Sequence, residues 1–183
     1  MTEMPGPGLP TWAVVSAKRR AHIERVAALV DQWATSMDIA SHERSRWLKA
    51  VWLHDALRDS TEAELAALLP DKSGPMALWH GPAAAVRARR EGESDKGVLD
   101  AIHYHSLGYH GWDRVGRVLY SADYLEPGRS FERQTRAGLA AQYPDAPEQV
   151  LFAVAKSRVK ELITKGLPIP EPTWTFWNAL ARS

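Results

Sequence analysis

Seven histidines (His22, His42, His54, His80, His103, His105 and His110) stand in a chain with no cysteine. Several lie in apolar runs. His22 shares a helical stripe with Val26 and Leu29, and His54 follows Val51-Trp52-Leu53, with Asp55 beside it. Asp123 falls between Val118-Leu119-Tyr120 and Tyr124-Leu125. An ionised carboxylate in such surroundings is costly unless it is paired or ligates a metal. Imidazole and carboxylate are the donors expected of a hydrolytic metal site that lacks thiolates. Such a site activates water and polarises a phosphoryl oxygen, and two ions ~3.5–4 Å apart would clamp both attacking and leaving oxygens. A bridging carboxylate is then needed, and Asp55 is the natural candidate. The ordinary alternative is that each histidine is a satisfied core residue and that His54-Asp55 is a chance dipeptide. His42, in a polar helix start, and His110, in a loop, are expected at the surface.

No Ser-His-Asp ordering suggests a covalent intermediate, so the nucleophile is expected to be a metal-bound or bridging hydroxide. Phosphoryl transfer depends on positioning and electrostatics, which calls for fixed cations. Arg58 and Arg129 are the candidates, followed by Arg19; for each, a surface salt bridge is the ordinary alternative. Gly108 and Gly128 either permit turns or let the backbone approach a ligand closely. Asp59 is read as a cap of the helix that follows it.

The elements that must position these residues are helical. Strand signals are almost absent, with no Asn-Gly or Asp-Gly hairpin and no sustained alternation. A first helix is predicted from Ala17 to Thr35. A second begins after Ser41, read as its N-cap, and carries Trp47, Val51 and Leu57. A third starts at Thr61, where Thr61 and Glu64 form a capping box, and ends at Pro70. Pro82 suits the first turn of a fourth, which runs to Arg90. Ser94 caps a fifth containing Val98, Ala101 and Ile102. Residues 107–111 are a loop. Further helices span Trp112–Tyr124, Phe131–Gln142 and Pro147–Thr164. Gly166, Pro168, Pro170 and Pro172 break the pattern before a short last helix, Trp174–Ala181. The fold class is therefore all-α, with a single domain over 17–183 that includes a C-terminal helical extension. The Pro/Gly-rich residues 1–16 read as a flexible lead-in.

Composition limits the function classes. The 183 residues suffice for one domain with a substantial core. Net charge is +1, which implies no general attraction to nucleic acid or membranes. The basic runs Lys18-Arg19-Arg20 and Arg87 to Arg90 read as solvated helix faces, allowing at most weak, salt-dependent binding to nucleic acid. No apolar stretch approaches a membrane span and no signal peptide is evident. Together with the lack of cysteine, this agrees with a cytoplasmic protein. The eight tryptophans are expected mostly in the core or on its rim.

The order His22, His54-Asp55, Asp123 resembles the H…HD…D signature of the HD-domain metal-dependent phosphohydrolases. Longer words are more specific. Arg19-Arg20-Ala21-His22, Leu53-His54-Asp55, Trp79-His80-Gly81-Pro82, Ala101 to Gly108 (A-I-H-Y-H-S-L-G) and Ala122 to Arg129 (A-D-Y-L-E-P-G-R) resemble the YqeK branch of that superfamily. The tail Gly166 to Thr173, with Asn178-Ala179-Leu180, is also similar, so the resemblance runs from Lys18 to Leu180. It implies an HD-type helical bundle, a di-iron-type centre and symmetrical hydrolysis of diadenosine tetraphosphate to two ADP. By position, it implies that His22, His54, Asp55 and Asp123 hold one metal, and that His80 and His105, with Asp55 bridging, hold the second. Alternative metals are Mn, Ni, Co, Zn and Mg. Arg58 stands where the family commonly has Lys, and His103 where it is usually basic, often Arg. Ser106 replaces the more usual Thr. With Asp55, Arg58 and His103 are the catalytic candidates; Arg19, Arg58, His103, Gly108 and Arg129 are the candidates for binding substrate. A different nucleotide, such as a nucleoside monophosphate or a guanosine alarmone, and a non-catalytic nucleotide-binding module are the competing readings. A homodimer is left open.

Overall fold

The computed structural model describes residues 8–70, 72 and 74–182. Among these the elements are helical: α1 (Ala17–Ser36), α2 (Ser41–His54), α3 (Glu62–Leu68), α4 (His80–Arg90), α5 (Lys96–Tyr104), α6 (Arg114–Leu125), α7 (Arg133–Gln142), α8 (Pro147–Thr164) and α9 (Glu171–Arg182). A short 3₁₀ turn, Met76–Leu78, precedes α4.

Helix α2 is the hub. It packs against α1, α4, α5 and α6, while α6 in turn meets α7 and α8. The reason is apolar spacing. Ile23, Val26, Val30 and Trp33 form one stripe on α1, and Trp47, Ala50, Val51 and His54 form one on α2. Helix α6 is buried nearly all round, from Val115 through Leu125, as a helix must be when neighbours lie on several sides. Its Asp123 is carried inward with the apolar residues. Trp33, Trp47 and Trp112 lie in the core, and Trp174 alone among the tryptophans is exposed.

Several boundaries depart from expectation for local reasons. Helix α2 stops at His54, short of Leu57, and follows Ala40, so Ser41 is its first residue and not its cap. Asp95 caps α5 in place of Ser94 by accepting from the Val98 N–H at 3.1 Å. Helix α6 starts behind Asp113, whose carboxylate accepts from the Val115 N–H. Helix α7 begins after Glu132, which has left-handed backbone at φ 42°, so Phe131 lies outside it. Pro172 falls in the first turn of α9, where its missing N–H costs nothing, so that helix starts at Glu171. The Thr61–Glu64 capping box is present as expected.

Of the expected lead-in, residues 1–7 lie outside the described residues and 8–16 are docked on the core. Leu9, Trp12 and Val15 pack on the core. The Val14 N–H donates to the Ala56 carbonyl at 2.7 Å, and the Asp59 N–H donates back to Val14. Asp59 does not cap α3. Its carboxylate accepts from the Ser16 N–H at 2.7 Å, and Ser16 is the N-cap of α1. The segment after His54-Asp55 is thereby fastened to the start of α1.

Candidate metal centre

The end of α2 makes the centre possible. His54 is the last residue of the helix, and Asp55 turns out of it at φ −109°, ψ 13°. This sparsely populated bridge region often hosts active-site residues. The change of direction lets two consecutive side chains address one point. His54 is fully buried and Asp55 is 3% exposed.

The two oxygens of Asp55 face two different sets of donors. Oδ2 lies 3.7 Å from His22 Nε2 and 3.6 Å from His54 Nε2. His22 Nε2 is also 3.1 Å from Asp123 Oδ1. Oδ1 lies 3.1 Å from His80 Nε2 and 3.5 Å from His105 Nε2. The donor atoms of His22, His54 and Asp123 fall within 4.8 Å of one another, as do those of His54, Asp55 and His105.

Each ring is turned by its other nitrogen. Nδ1–H donates to the carbonyl three residues earlier in three cases: His54 to Val51 at 2.6 Å, His80 to Ala77 at 3.0 Å and His105 to Ile102 at 2.8 Å. His22 instead donates from Nδ1 to Glu126 Oε1 at 3.1 Å. With Nδ1 the donor, all four rings turn Nε2 to the centre, the usual outer-shell device for a metal-ligating histidine. His80 Nε2 and His105 Nε2 stand 3.1 Å apart, where two lone pairs repel unless a cation or a proton is shared. His54 Nε2 is buried without a hydrogen-bond partner, and His22 Nε2 has the Asp123 carboxylate before it. Four imidazoles and two carboxylates so placed are a donor set that fits divalent metal.

The electrostatics agree. Burial opposes charge on His22, but Asp123 and Glu126 outweigh it and raise its pKa to about 9. Burial lowers His54 to about 4, keeping it neutral. Asp55 stays ionised although burial disfavours it, because His54, His105 and His80 hold its pKa well below the usual range. Asp123 does likewise, held chiefly by Arg129 and His22. The site keeps its carboxylates charged and attracts positive charge.

Around this core the expected cations take distinct places. Arg19 Nη1 donates to Asp55 Oδ2 at 2.7 Å, so it borders the centre directly. Arg129 donates from Nε to the Asp123 carbonyl at 2.9 Å and from Nη2 to Asp123 Oδ1 at 2.8 Å. Arg58 is half-buried, reaches the Ala77 carbonyl at 3.4 Å, and its charge helps to lower the His80 pKa, which burial lowers most. His103 lies against Tyr104 with ring centroids 4.2 Å apart and the rings tilted by 48°, and its ring makes no ion pair among the described residues. His42 and His110 are exposed.

Two glycines are fixed by packing. A Cβ on Gly81 would fall 2.9 Å from the Ile102 carbonyl and 3.2 Å from His105 Cε1, so this glycine lets α4 close on the end of α5 and brings His80 to His105. Gly108 has φ 90°, and a Cβ there would strike the Phe176 ring of α9. Its close approach is therefore to α9, with Thr173 Oγ1 donating to the Leu107 carbonyl at 2.8 Å alongside. Gly108→Ala is expected to cost about 2 kcal/mol from backbone strain and the clash together, read as a lower urea midpoint. An unchanged midpoint would contradict this account of the loop.

Sequence reasoning passed over Glu126. It sits in a word singled out as a turn, yet it is 1% exposed and accepts from His22, from Arg25 Nε at 2.6 Å and from the Gly128 N–H at 2.7 Å. A glutamate directly after the apolar run of α6 and before Pro-Gly was the available signal. Arg158 and Arg136 were also missed, because both lie far along the chain in ordinary amphipathic helices.

An all-α bundle whose hub helix ends in a buried His-Asp pair, ringed by histidines from three other segments and an aspartate from a fourth, defines a helical domain built around a metal centre. A family model described as the HD domain matches residues 19–128, and the chain belongs to that family. It is similar to the Bacillus subtilis (strain 168) protein named bis(5'-nucleosyl)-tetraphosphatase, symmetrical, with 35% identity over 104 residues, 56% of this chain and 55% of that protein. The chain thus spans about half the length of that relative. A Halalkalibacterium halodurans protein of the same name is 27% identical over 161 residues, 80% of this chain and 83% of that protein. A Clostridium acetobutylicum crystal structure, described as a predicted HD superfamily hydrolase involved in NAD metabolism, shares the fold with a TM-score of 0.79. It covers 92% of each chain at 23% identity. No helix among the described residues is long and apolar enough to cross a membrane.

Proposed function

We propose that this protein is a metal-dependent phosphohydrolase that cleaves a dinucleoside polyphosphate, with diadenosine tetraphosphate split symmetrically into two ADP. The observation that carries this reading is Asp55, one carboxylate with His22 and His54 before one oxygen and His80 and His105 before the other. In this reading His22, His54, Asp55 and Asp123 hold one divalent ion, and His80, His105 and Asp55 hold a second. Such ions would supply Lewis acidity and neutralise charge on a phosphoryl group. Iron follows from the family resemblance, while Mn, Ni, Co, Zn and Mg are alternatives for such a donor set. The names of the Bacillus and Halalkalibacterium relatives support the substrate class.

The chain's own residues then bind and orient the substrate. Arg19 stands against Asp55, where it can meet a phosphate oxygen with a planar fork of donors. Arg58, on the His80 side, serves a second phosphate. Arg129 fixes Asp123 first, and its outward edge is a further phosphate contact. His103 contributes a polar contact at the rim. A cytoplasmic location is part of this reading.

The test is a nucleotide panel run on the purified protein with added iron, manganese, nickel or cobalt. Diadenosine tetraphosphate is expected to turn over, with ADP as the only product. Turnover of a mononucleotide or a guanosine alarmone with diadenosine tetraphosphate inert would move the function to another nucleotide. Absence of metal and of all hydrolysis would point to a binding module.

A further inference from the structure

Arg158 lies on α8, thirty residues beyond the span matched by the HD-domain model, 19–128. It nevertheless reaches the centre. Its Nη2 donates to Asp123 Oδ2 at 2.9 Å, and the Tyr120 carbonyl lies 3.5 Å from the same nitrogen. The guanidinium lies over the Tyr120 ring at 4.4 Å and the Tyr124 ring at 5.3 Å. Its side chain is 18% exposed, and Nε is buried without a partner. A cation so enclosed is stable only because an anion faces it. The anion is Asp123.

The division of Asp123's oxygens is what matters. Oδ1 points to His22 Nε2 at 3.1 Å and accepts from Arg129. Oδ2 accepts from Arg158 at 2.9 Å. Without Arg158 the carboxylate could swing about its terminal torsion, which is broad and roughly two-fold for aspartate. Both oxygens could then compete for the centre.

We propose that Arg158 is a positioning residue of the metal centre, which holds Oδ2 of Asp123 and so presents this aspartate to the metal as a one-oxygen ligand. The inference rests on the metal reading given above. It makes α8 part of the site: the HD-domain span supplies the ligands, and α8, which follows that span, sets the orientation of one of them. The two tyrosine rings give Arg158 a fixed bed, so little side-chain freedom remains to be lost when Asp123 is engaged.

The test uses cobalt(II) as the probe on the full chain. Affinity is read by titration calorimetry, coordination by the cobalt d–d absorption bands, and folding by thermal melting. Arg158→Gln is expected to weaken cobalt binding by about 10–100-fold, the usual loss for an outer-shell partner, and to change the d–d band shape. Arg158→Lys, which keeps the charge but not the fork, is expected to fall between Gln and wild type in affinity. A purely structural arginine would lower the melting temperature and leave the cobalt spectrum of the folded fraction as in wild type. An unchanged affinity and spectrum in folded Arg158→Gln overturns the inference while leaving the metal reading intact. Failure of the wild type to bind cobalt, manganese or iron overturns the metal reading and this inference with it. Should Arg158→Gln not fold, the side-chain ¹⁵N resonances of wild-type Arg158 decide. They are expected to shift on zinc addition and to saturate with the ligand-bound metal, and resonances that do not respond overturn the proposal.

Discussion

On the proposed function, Asp55→Asn is expected to lower kcat for dinucleoside polyphosphate hydrolysis by at least about 10³-fold and to abolish uptake of both proposed metals. The substitution keeps the shape of the side chain and removes its charge. Among the described residues Asp55 is the carboxylate that faces both histidine pairs, with Oδ1 3.1 Å from His80 Nε2 and Oδ2 3.6 Å from His54 Nε2. Neither ion would then have its shared anion, and the carboxylate left in the site, Asp123, is already paired with Arg129 and Arg158, so little affinity for a further cation remains. Metal ions contribute several kcal/mol of transition-state stabilisation, and each 1.36 kcal/mol is tenfold in rate, which sets the magnitude at roughly 10³ or more. His80→Ala, on one side of Asp55 only, is expected to remove one metal equivalent and leave the other. Metal content after mild purification, measured beside kcat, checks both. A fully metallated Asp55→Asn protein with ordinary turnover would refute the bridging role.

Arg136→Met should produce the largest loss of stability. Arg136 is 2% exposed on α7 and gathers the chain that joins α6 to α7. Its Nε donates to the Tyr124 carbonyl at 2.9 Å, and Nη1 donates to the Arg129 carbonyl at 3.1 Å and to the Phe131 carbonyl at 3.3 Å. Nη2 donates to the Glu126 carbonyl, and the guanidinium lies over the Phe131 ring at 4.7 Å. Methionine fills comparable space but donates nothing. Each buried carbonyl left without a partner costs about 1–3 kcal/mol, so two fully buried ones give roughly 3 kcal/mol or more. A change of that size lowers the melting temperature by on the order of 10 °C in a domain this long. The same connection carries Glu126 and Arg129, which hold His22 and Asp123, so metal affinity should fall as well. A melting temperature within about 2 °C of wild type would show that the loop holds itself.

The helices were largely legible in the sequence because each one satisfies its own local rules. Pro147 and Thr164 bound α8 as expected. Thr61 and Glu64 mark the start of α3 by a capping box that needs no tertiary partner. One misplaced end also carries a non-local contact. Asp95 and not Ser94 caps α5, and Arg46, from α2, bonds the same Asp95 at 2.6 Å. Residues 8–16 look disordered by composition, yet Val14 finds its backbone partners on the far side of the Asp55 turn.

His54-Asp55 follows the same division. Sequence by itself determined the donor types, their order along the chain and the cost of leaving Asp55 and Asp123 charged in apolar helices. Those follow from residue chemistry and period alone. It could not determine that the two oxygens of Asp55 part between two histidine pairs, because that depends on where α2 ends and on Gly81 letting α4 close on α5. Nor could it show that Glu126, Arg129 and Arg158 stand behind His22 and Asp123. Arg158 is 35 residues from Asp123. Spacing encodes one helical face at a time, whereas the support of a ligand is a contact between helices, and only their packing decides it.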